Sequence, residues 1–160
     1  MAVLCGGSAA SYYAPDAYMS ADDDFVLTVG LTRTEISDIM RPLGFREAGR
    51  IYVADGIAWS ADFPPGPLAV GRDLITAWNT IRRDGEVLHV VTPLDAVRDR
   101  FMHYSAWDDY SGLTQAVAVA KAQRDAIDLA AFRAWTESEC RETPQYDPKR
   151  VTEFVRALRA

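Results

Sequence analysis

Three consecutive aspartates, Asp22, Asp23 and Asp24, stand directly in front of "FVLTVG", a run of β-branched and apolar residues that ends at Gly30. If the chain is extended there, successive side chains point to opposite faces, so Asp22 and Asp24 project together while Asp23 points away. Two carboxylates on one face repel unless a cation lies between them. Hard oxygen donors at a rigid strand end suit Mg2+ or Mn2+, ions that keep waters and take phosphate oxygens as further ligands. The same three residues also fit a solvated turn or a cap for the preceding segment.

Gly6-Gly7-Ser8 supplies a second set of chemically useful groups. It follows the short apolar run "AVLC" and opens "SAASYYA", a helix start closed by Pro15. Backbone N–H groups at such a strand-to-helix junction favour a phosphate, and the serine hydroxyl adds a donor. The lysine of a phosphate-binding P-loop is absent. A tight turn with Ser8 as the helix cap explains the same residues without a ligand. His89 and His103 stand beside no serine or cysteine arrangement that would give either a catalytic task, and both read as structural. Trp78, Trp107 and Trp135 read as core or interface residues.

The elements that must position these groups change character along the chain. Strands are expected at residues 2–5 and 24–29, then as a pair around Asp55-Gly56, a strong hairpin signal, and as a second pair, "LITAWNTI" and "EVLHVV", flanking Asp84-Gly85. Between them Thr32 and Glu35 have capping-box spacing. Ile36, Ile39, Met40 and Leu43 fall on one helical face there, and Pro42 ends that helix. From Thr92-Pro93-Leu94-Asp95 onward the pattern is helical: a hydroxyl cap, proline at the first helical position and an acid in the first turn. Leu94, Val97 and Phe101 point that first helix toward a core. Three further helices are expected at 111–123, 128–139 and 147–159, with "CRETPQY" as the loop before the last. The organisation is α+β: a mixed β-sheet core with flanking helices over residues 1–91, and a C-terminal helical bundle over 92–160 packed on it.

The chain has 160 residues, 49% of them hydrophobic and 25% charged, which suits one folded domain and excludes a disordered or low-complexity polymer. A net charge of −6 argues against a protein that coats nucleic acid phosphates, leaving room only for a local basic patch. Cys5 and Cys140 lie far apart with no paired spacing, so reduced thiols are expected rather than a disulfide or zinc site. No apolar run is long enough for a membrane span and no signal segment is evident; a cytoplasmic location is expected.

The stretch "GGSAASYYAPDAYMSADDDF" resembles the signature of the polymerase-beta-like nucleotidyltransferases: a Gly-Gly or Gly-Ser turn, a short helix, then a Ser or Thr followed by a D-x-D on the next strand. Gly6, Gly7 and Ser8 match the first element, and Ser20, Asp22 and Asp24 the second. The resemblance implies that the two aspartates hold the metal and that the turn grips nucleotide phosphates. It also implies a third carboxylate on a neighbouring strand, for which Asp62 in "IAWSADFPPG" is the candidate, since it falls on the more polar face of that strand's end. "VVTPLDAVRDRFMHYSAWDDYSGLTQAVAVA" is similar to the region after the catalytic core in small prokaryotic nucleotidyltransferase-like proteins, including those related to the toxins of abortive-infection, type IV toxin–antitoxin systems. Those carry a lysine and an aspartate here, to which Arg100 and Asp109 correspond. Arginine in place of lysine keeps the charge but changes its geometry. The Arg98-Asp99-Arg100 cluster also fits a solvated helix face. Two departures stand out: Asp23 occupies a position that is apolar in the family, and the chain opens directly on its first strand.

The resemblance implies transfer of a nucleoside monophosphate from an NTP, with Mg2+ or Mn2+, to a protein, an RNA or a small-molecule acceptor. A cognate antitoxin or a homo-oligomer are the partners it suggests. The alternative reading is a nucleotidyltransferase-like module that has lost catalysis and serves in binding or regulation.

Overall fold

The computed structural model describes residues 1–143 and 146–160. The order of elements is β1 (Ala2–Cys5), α1 (Gly6–Tyr13), β2 (Asp22–Leu27), α2 (Arg33–Met40), β3 (Phe45–Ala48), β4 (Ile51–Ala54), β5 (Ser60–Asp62), β6 (Ala69–Val70), β7 (Asp73–Leu74), β8 (Trp78–Arg83) and β9 (Glu86–Val91). The helices α3 (Pro93–Trp107), α4 (Tyr110–Ala122), α5 (Leu129–Glu142) and α6 (Lys149–Arg159) follow. The architecture is α+β, as the change from a strand-rich first half to a helical second half leads one to expect.

Seven strands form one mixed sheet in the order β3-β4-β5-β2-β1-β9-β8, and β6 and β7 form a separate two-stranded ribbon. Two pairings fix the positions of the acids. β1 runs antiparallel to β2 with Cys5 opposite Asp24. β2 runs parallel to β5 with Asp22, Asp23 and Asp24 opposite Ser60, Ala61 and Asp62. Side chains on neighbouring strands at matched register share a face, so this pairing decides which acids meet.

Local sequence explains most boundaries. Thr32 accepts from the Glu35 N–H while the Glu35 carboxylate accepts from the Thr32 N–H at 2.7 Å, a complete capping box that fixes the start of α2. Pro42 then turns the chain into a single 3-10 turn over Arg41–Leu43, and Gly44 closes it in the left-handed region at φ 88°. Asp84 and Gly85, both at positive φ, make the tight turn of the β8–β9 hairpin. The Asp55-Gly56 pair lies within a longer connection, residues 55–59, between antiparallel β4 and β5. Thr92 caps α3 by accepting from the Asp95 N–H, with Pro93 at the first helical position. β3 is an element the apolar pattern does not announce, since Arg46 and Glu47 at its centre are both exposed.

The main core joins sheet and helices: Val3, Val90 and Val91 pack with Val97, Phe101, Val119, Phe132 and Phe154. Phe101 meets Phe132 and Phe154 edge-on at centroid distances of 5.3 and 5.7 Å. A smaller cluster of Met40, Tyr52 and Ala61, with Ile36, Phe45 and Phe63 beside it, holds α2 against β3–β5. Leu129 is exposed although it heads the apolar pattern of α5. The expected loop "CRETPQY" is shorter than its seven residues, because α5 continues through Glu142. Pro144 and Gln145 of that stretch lie outside the described residues. No helix among the described residues is long and apolar enough to cross a membrane.

Candidate functional site

The start of β2, the end of β5, the junction of β1 with α1, and the middle of α3 surround a cleft of about 360 Å3. Asp24, Asp62, Gly6 and Arg100 line it, together with Cys5, Arg33, Arg50, Asp99 and His103. A larger cleft, about 480 Å3, opens beside the β6–β7 ribbon and contains Arg72, Asp95 and Arg98. Size is no guide to chemistry here, because the converging carboxylates belong to the smaller one.

Asp24 is half-buried, and its carboxyl is pushed above the usual carboxylate range, first by burial and then by the negative charges of Asp22 and Asp62. Asp22 is exposed at the start of the strand, and its Oδ1 accepts from the Ser20 hydroxyl at 3.0 Å. Ser20 is itself fixed by the Ser11 hydroxyl, which accepts its N–H at 3.0 Å, so α1 orients Asp22 through two hydroxyls. Asp23 falls on the opposite face, with Ala61 as its register neighbour.

Asp62 is buried, with 4% of its surface exposed. Its Oδ1 accepts the Phe63 N–H at 2.8 Å, and its Oδ2 receives Arg50 Nε at 3.1 Å. Arg50 belongs to the short turn between β3 and β4 and keeps 84% of its side chain exposed, so the contact joins a buried anion to a solvated cation. Arg33 is held apart from the carboxylates by Glu47 and the Gly49 carbonyl.

Arg100 is 9% exposed and donates from Nε and Nη2 to Asp99 Oδ2 at 2.8 and 2.6 Å. The solvated-face reading of the Arg98-Asp99-Arg100 cluster therefore does not hold. Arg98 leaves the site altogether and stacks its guanidinium 4.8 Å from the Trp135 ring. His103, expected to be only structural, lies in the cleft wall against Trp107; burial, and after it the charge of Arg100, holds its imidazole below the ordinary histidine range.

The other expected site residues fall elsewhere. Gly6 has φ 65° and begins α1 in hard contact range of Asp24, where any Cβ would strike Asp24 Oδ2. Gly7 and Ser8 are buried and do not line the cleft. The Ser8 hydroxyl donates to the Asp22 carbonyl, which makes it a tie between α1 and β2. Nor is Ser8 the helix cap, since the helix already includes both glycines. Asp109 caps α4 by accepting the Ser111 N–H at 2.9 Å, and hydrogen bonds from Ser111 hold its carboxyl below the usual range.

The cleft thus brings together Gly6, Asp24, Asp62 and Arg100, with Asp22 close enough to act on Asp24. Asp109, Gly7 and Ser8 stay outside it. Among the described residues, no three His, Cys, Asp or Glu side chains are spaced to hold a metal ion as they stand. No protein-family model, curated protein or solved structure matches the chain.

Proposed function

We propose that the chain is a metal-dependent nucleotidyltransferase that moves a nucleoside monophosphate from an NTP to a protein, RNA or small-molecule acceptor. The observation that carries this reading is the register pairing of Asp24 with Asp62, which joins acids 38 residues apart in sequence at one cleft floor. Arg100 lines that same cleft.

The donor types suit a hard divalent cation, although among the described residues no three of them stand around one position. Asp22, Asp24 and Asp62 offer only carboxylate oxygens; Asp24 is raised first by burial and then by the charges of Asp22 and Asp62, and a cation would relieve that second contribution. When bound, Mg2+ or Mn2+ would screen the triphosphate from these acids and stabilise charge on its oxygens. The chain's own groups supply the rest. Arg100, with Nε and Nη2 held by Asp99, would offer its remaining N–H groups from the α3 side to developing negative charge on the departing pyrophosphate. Gly6 leaves beside the β1–α1 junction the room that the Asp24 carboxylate takes, and so sets that acid at the cleft. Asp62 would take the acceptor hydroxyl's proton as that oxygen bonds to the α-phosphorus and the bond from the α-phosphorus to the departing pyrophosphate breaks.

A toxin role with a cognate antitoxin, or a homo-oligomer, belongs to this reading through the sequence resemblance. The second reading, a binding module without catalysis, draws on the ion pair of Arg50 with Asp62, which closes the carboxylate pair as the chain stands.

Radiolabelled NTP with Mg2+ or Mn2+ and cellular extract, given to the wild type and to an Asp22→Ala, Asp24→Ala double variant, separates the two. Label transfer by the wild type alone is the expected result. Equal transfer by both proteins removes these residues from catalysis. Thermal stabilisation by NTP without any divalent ion favours the binding module.

A further inference from the structure

We infer that Arg50 is an exchangeable counter-ion of the carboxylate cleft: it neutralises Asp62 while no divalent cation is bound and, once displaced, becomes a ligand for the polyphosphate. This rests on the nucleotidyltransferase reading and adds to it the order in which the site fills.

The two ends of the pair are unequal. Asp62 is fixed: it sits in the sheet, buried, with Oδ1 committed to the Phe63 N–H. Its Oδ2 is thus the oxygen left for a cation, and Arg50 Nε lies on it at 3.1 Å. Arg50 is free to leave, because its side chain is 84% exposed and it stands on the turn after Gly49, which takes φ 64° between β3 and β4. Asp62 is buried and needs a counter-charge, and a divalent cation shared by Asp24 and Asp62 would bring a larger one to the same oxygen than the solvated Arg50 does.

Released, Arg50 remains at the mouth of the same cleft. The other two guanidiniums there are committed: Arg33 to Glu47 and the Gly49 carbonyl, and Arg100 to Asp99 in a two-donor contact. Arg50 alone among these three would lose its partner as the cation arrives. A planar guanidinium freed beside a cation-bound triphosphate meets phosphate oxygens through two parallel N–H donors. Cation binding would then create the phosphate site, so the polyphosphate should bind after the cation and not before it.

The test uses the full chain and two ligands that need no catalysis. Mn2+ binding is followed by electron paramagnetic resonance, and inorganic tripolyphosphate binding by calorimetry, for wild type, Arg50→Met and Asp24→Asn. Arg50→Met should bind Mn2+ about three- to tenfold more tightly than wild type, the scale of an ion pair with one solvated partner. With Mn2+ saturating, it should bind tripolyphosphate about tenfold more weakly, the scale of one charge-assisted contact. Unchanged or weaker Mn2+ binding in Arg50→Met, or unchanged tripolyphosphate binding, overturns the exchange. Asp24→Asn reports on the underlying site: if wild type and Asp24→Asn bind Mn2+ equally, the carboxylate reading fails whatever Arg50 does. If wild type binds no Mn2+ but Arg50→Met does, the counter-ion role stands; if neither does, both readings fall. Arg50 is exposed, so its replacement leaves the core intact, and the melting temperature checks this.

Discussion

Asp24 and Asp62 are register partners on adjacent parallel strands, so the sheet itself sets their carboxylates side by side. The consequence for Asp24 is a carboxyl that loses its proton less readily than usual, by burial first and then by Asp22 and Asp62.

That shift has a sign in stability. A group whose folded value is raised contributes stability that is fully present below its unfolded value and is lost as pH rises through the folded value. Asp24→Asn should therefore be more stable than wild type at pH 7, by about 0.5–2 kcal/mol, the usual gain when an unfavourable charge is removed. The gain should vanish below about pH 4, where the unfolded carboxyl is also protonated. Urea denaturation at the two pH values checks it. An equal gain at both would mean that charge is not the cause.

Gly6 sits where the chain allows no side chain. With φ 65° and Asp24 Oδ2 in the path of a Cβ, Gly6→Ala should destabilise the protein by about 1–3 kcal/mol and push Asp24 out of place. Gly7→Ala is the comparison, because there the tightest contact of the new atom is the Ser20 hydroxyl at 3.0 Å, the other two lie at 3.6 Å, and φ is ordinary. Chemical denaturation of both should rank Gly6→Ala as the more damaging. The reverse order would remove the special role of Gly6.

How far the site was legible in the sequence depends on distance along the chain. The face shared by Asp22 and Asp24 follows from two-residue periodicity alone, and the caps at Thr32 and Thr92 from four-residue patterns. Asp62 was reachable as a polar strand end, but its register against Asp24 was not, since parallel pairing has no local signature. Arg50 and Arg33 were missed for a related reason. They enter the cleft through the β3–β4 hairpin, and β3 reads as "FREA", two charges between two apolar residues, too short and polar to announce a strand. His103 reads as structural from its neighbours in sequence, and only the packing of α3 brings it into the cleft wall. Ser8 and Asp109 went the other way: their hydroxyl and carboxylate are used by backbone groups, one by the Asp22 carbonyl and one by the Ser111 N–H.

Arg100 carries two tasks that substitutions can separate. Arg100→Met leaves the part-buried Asp99 without its two donors and should destabilise the fold by about 1–3 kcal/mol, besides lowering label transfer by about a hundredfold or more. Arg100→Lys restores the charge but not the two-donor geometry, so it should recover most of the stability and only part of the transfer. Melting curves and initial rates measured on the same preparations test this. Full recovery of transfer by lysine would show that charge alone matters at this position.

Cys5 reports on the cleft from inside. Its thiol is pushed up to about 12, first by burial and then by the charges of Asp99 and Asp24, while Arg100 opposes them. Its S–H also donates to the Asp24 carbonyl at 3.4 Å. Since only the thiolate attacks an aromatic disulfide reagent, at pH 8 roughly one Cys5 in ten thousand is reactive at any moment. In a Cys140→Ser background the folded protein should therefore show almost no labelling, and full labelling should appear once denaturant exposes the thiol. Adding Asp24→Asn removes one of the charges that raise the thiol, so folded-state labelling should quicken, whereas adding Arg100→Met should slow it unless the fold loosens, which the melting temperature reveals. Labelling of the folded single-thiol protein at the rate of a free cysteine would contradict the buried, negatively surrounded position of Cys5.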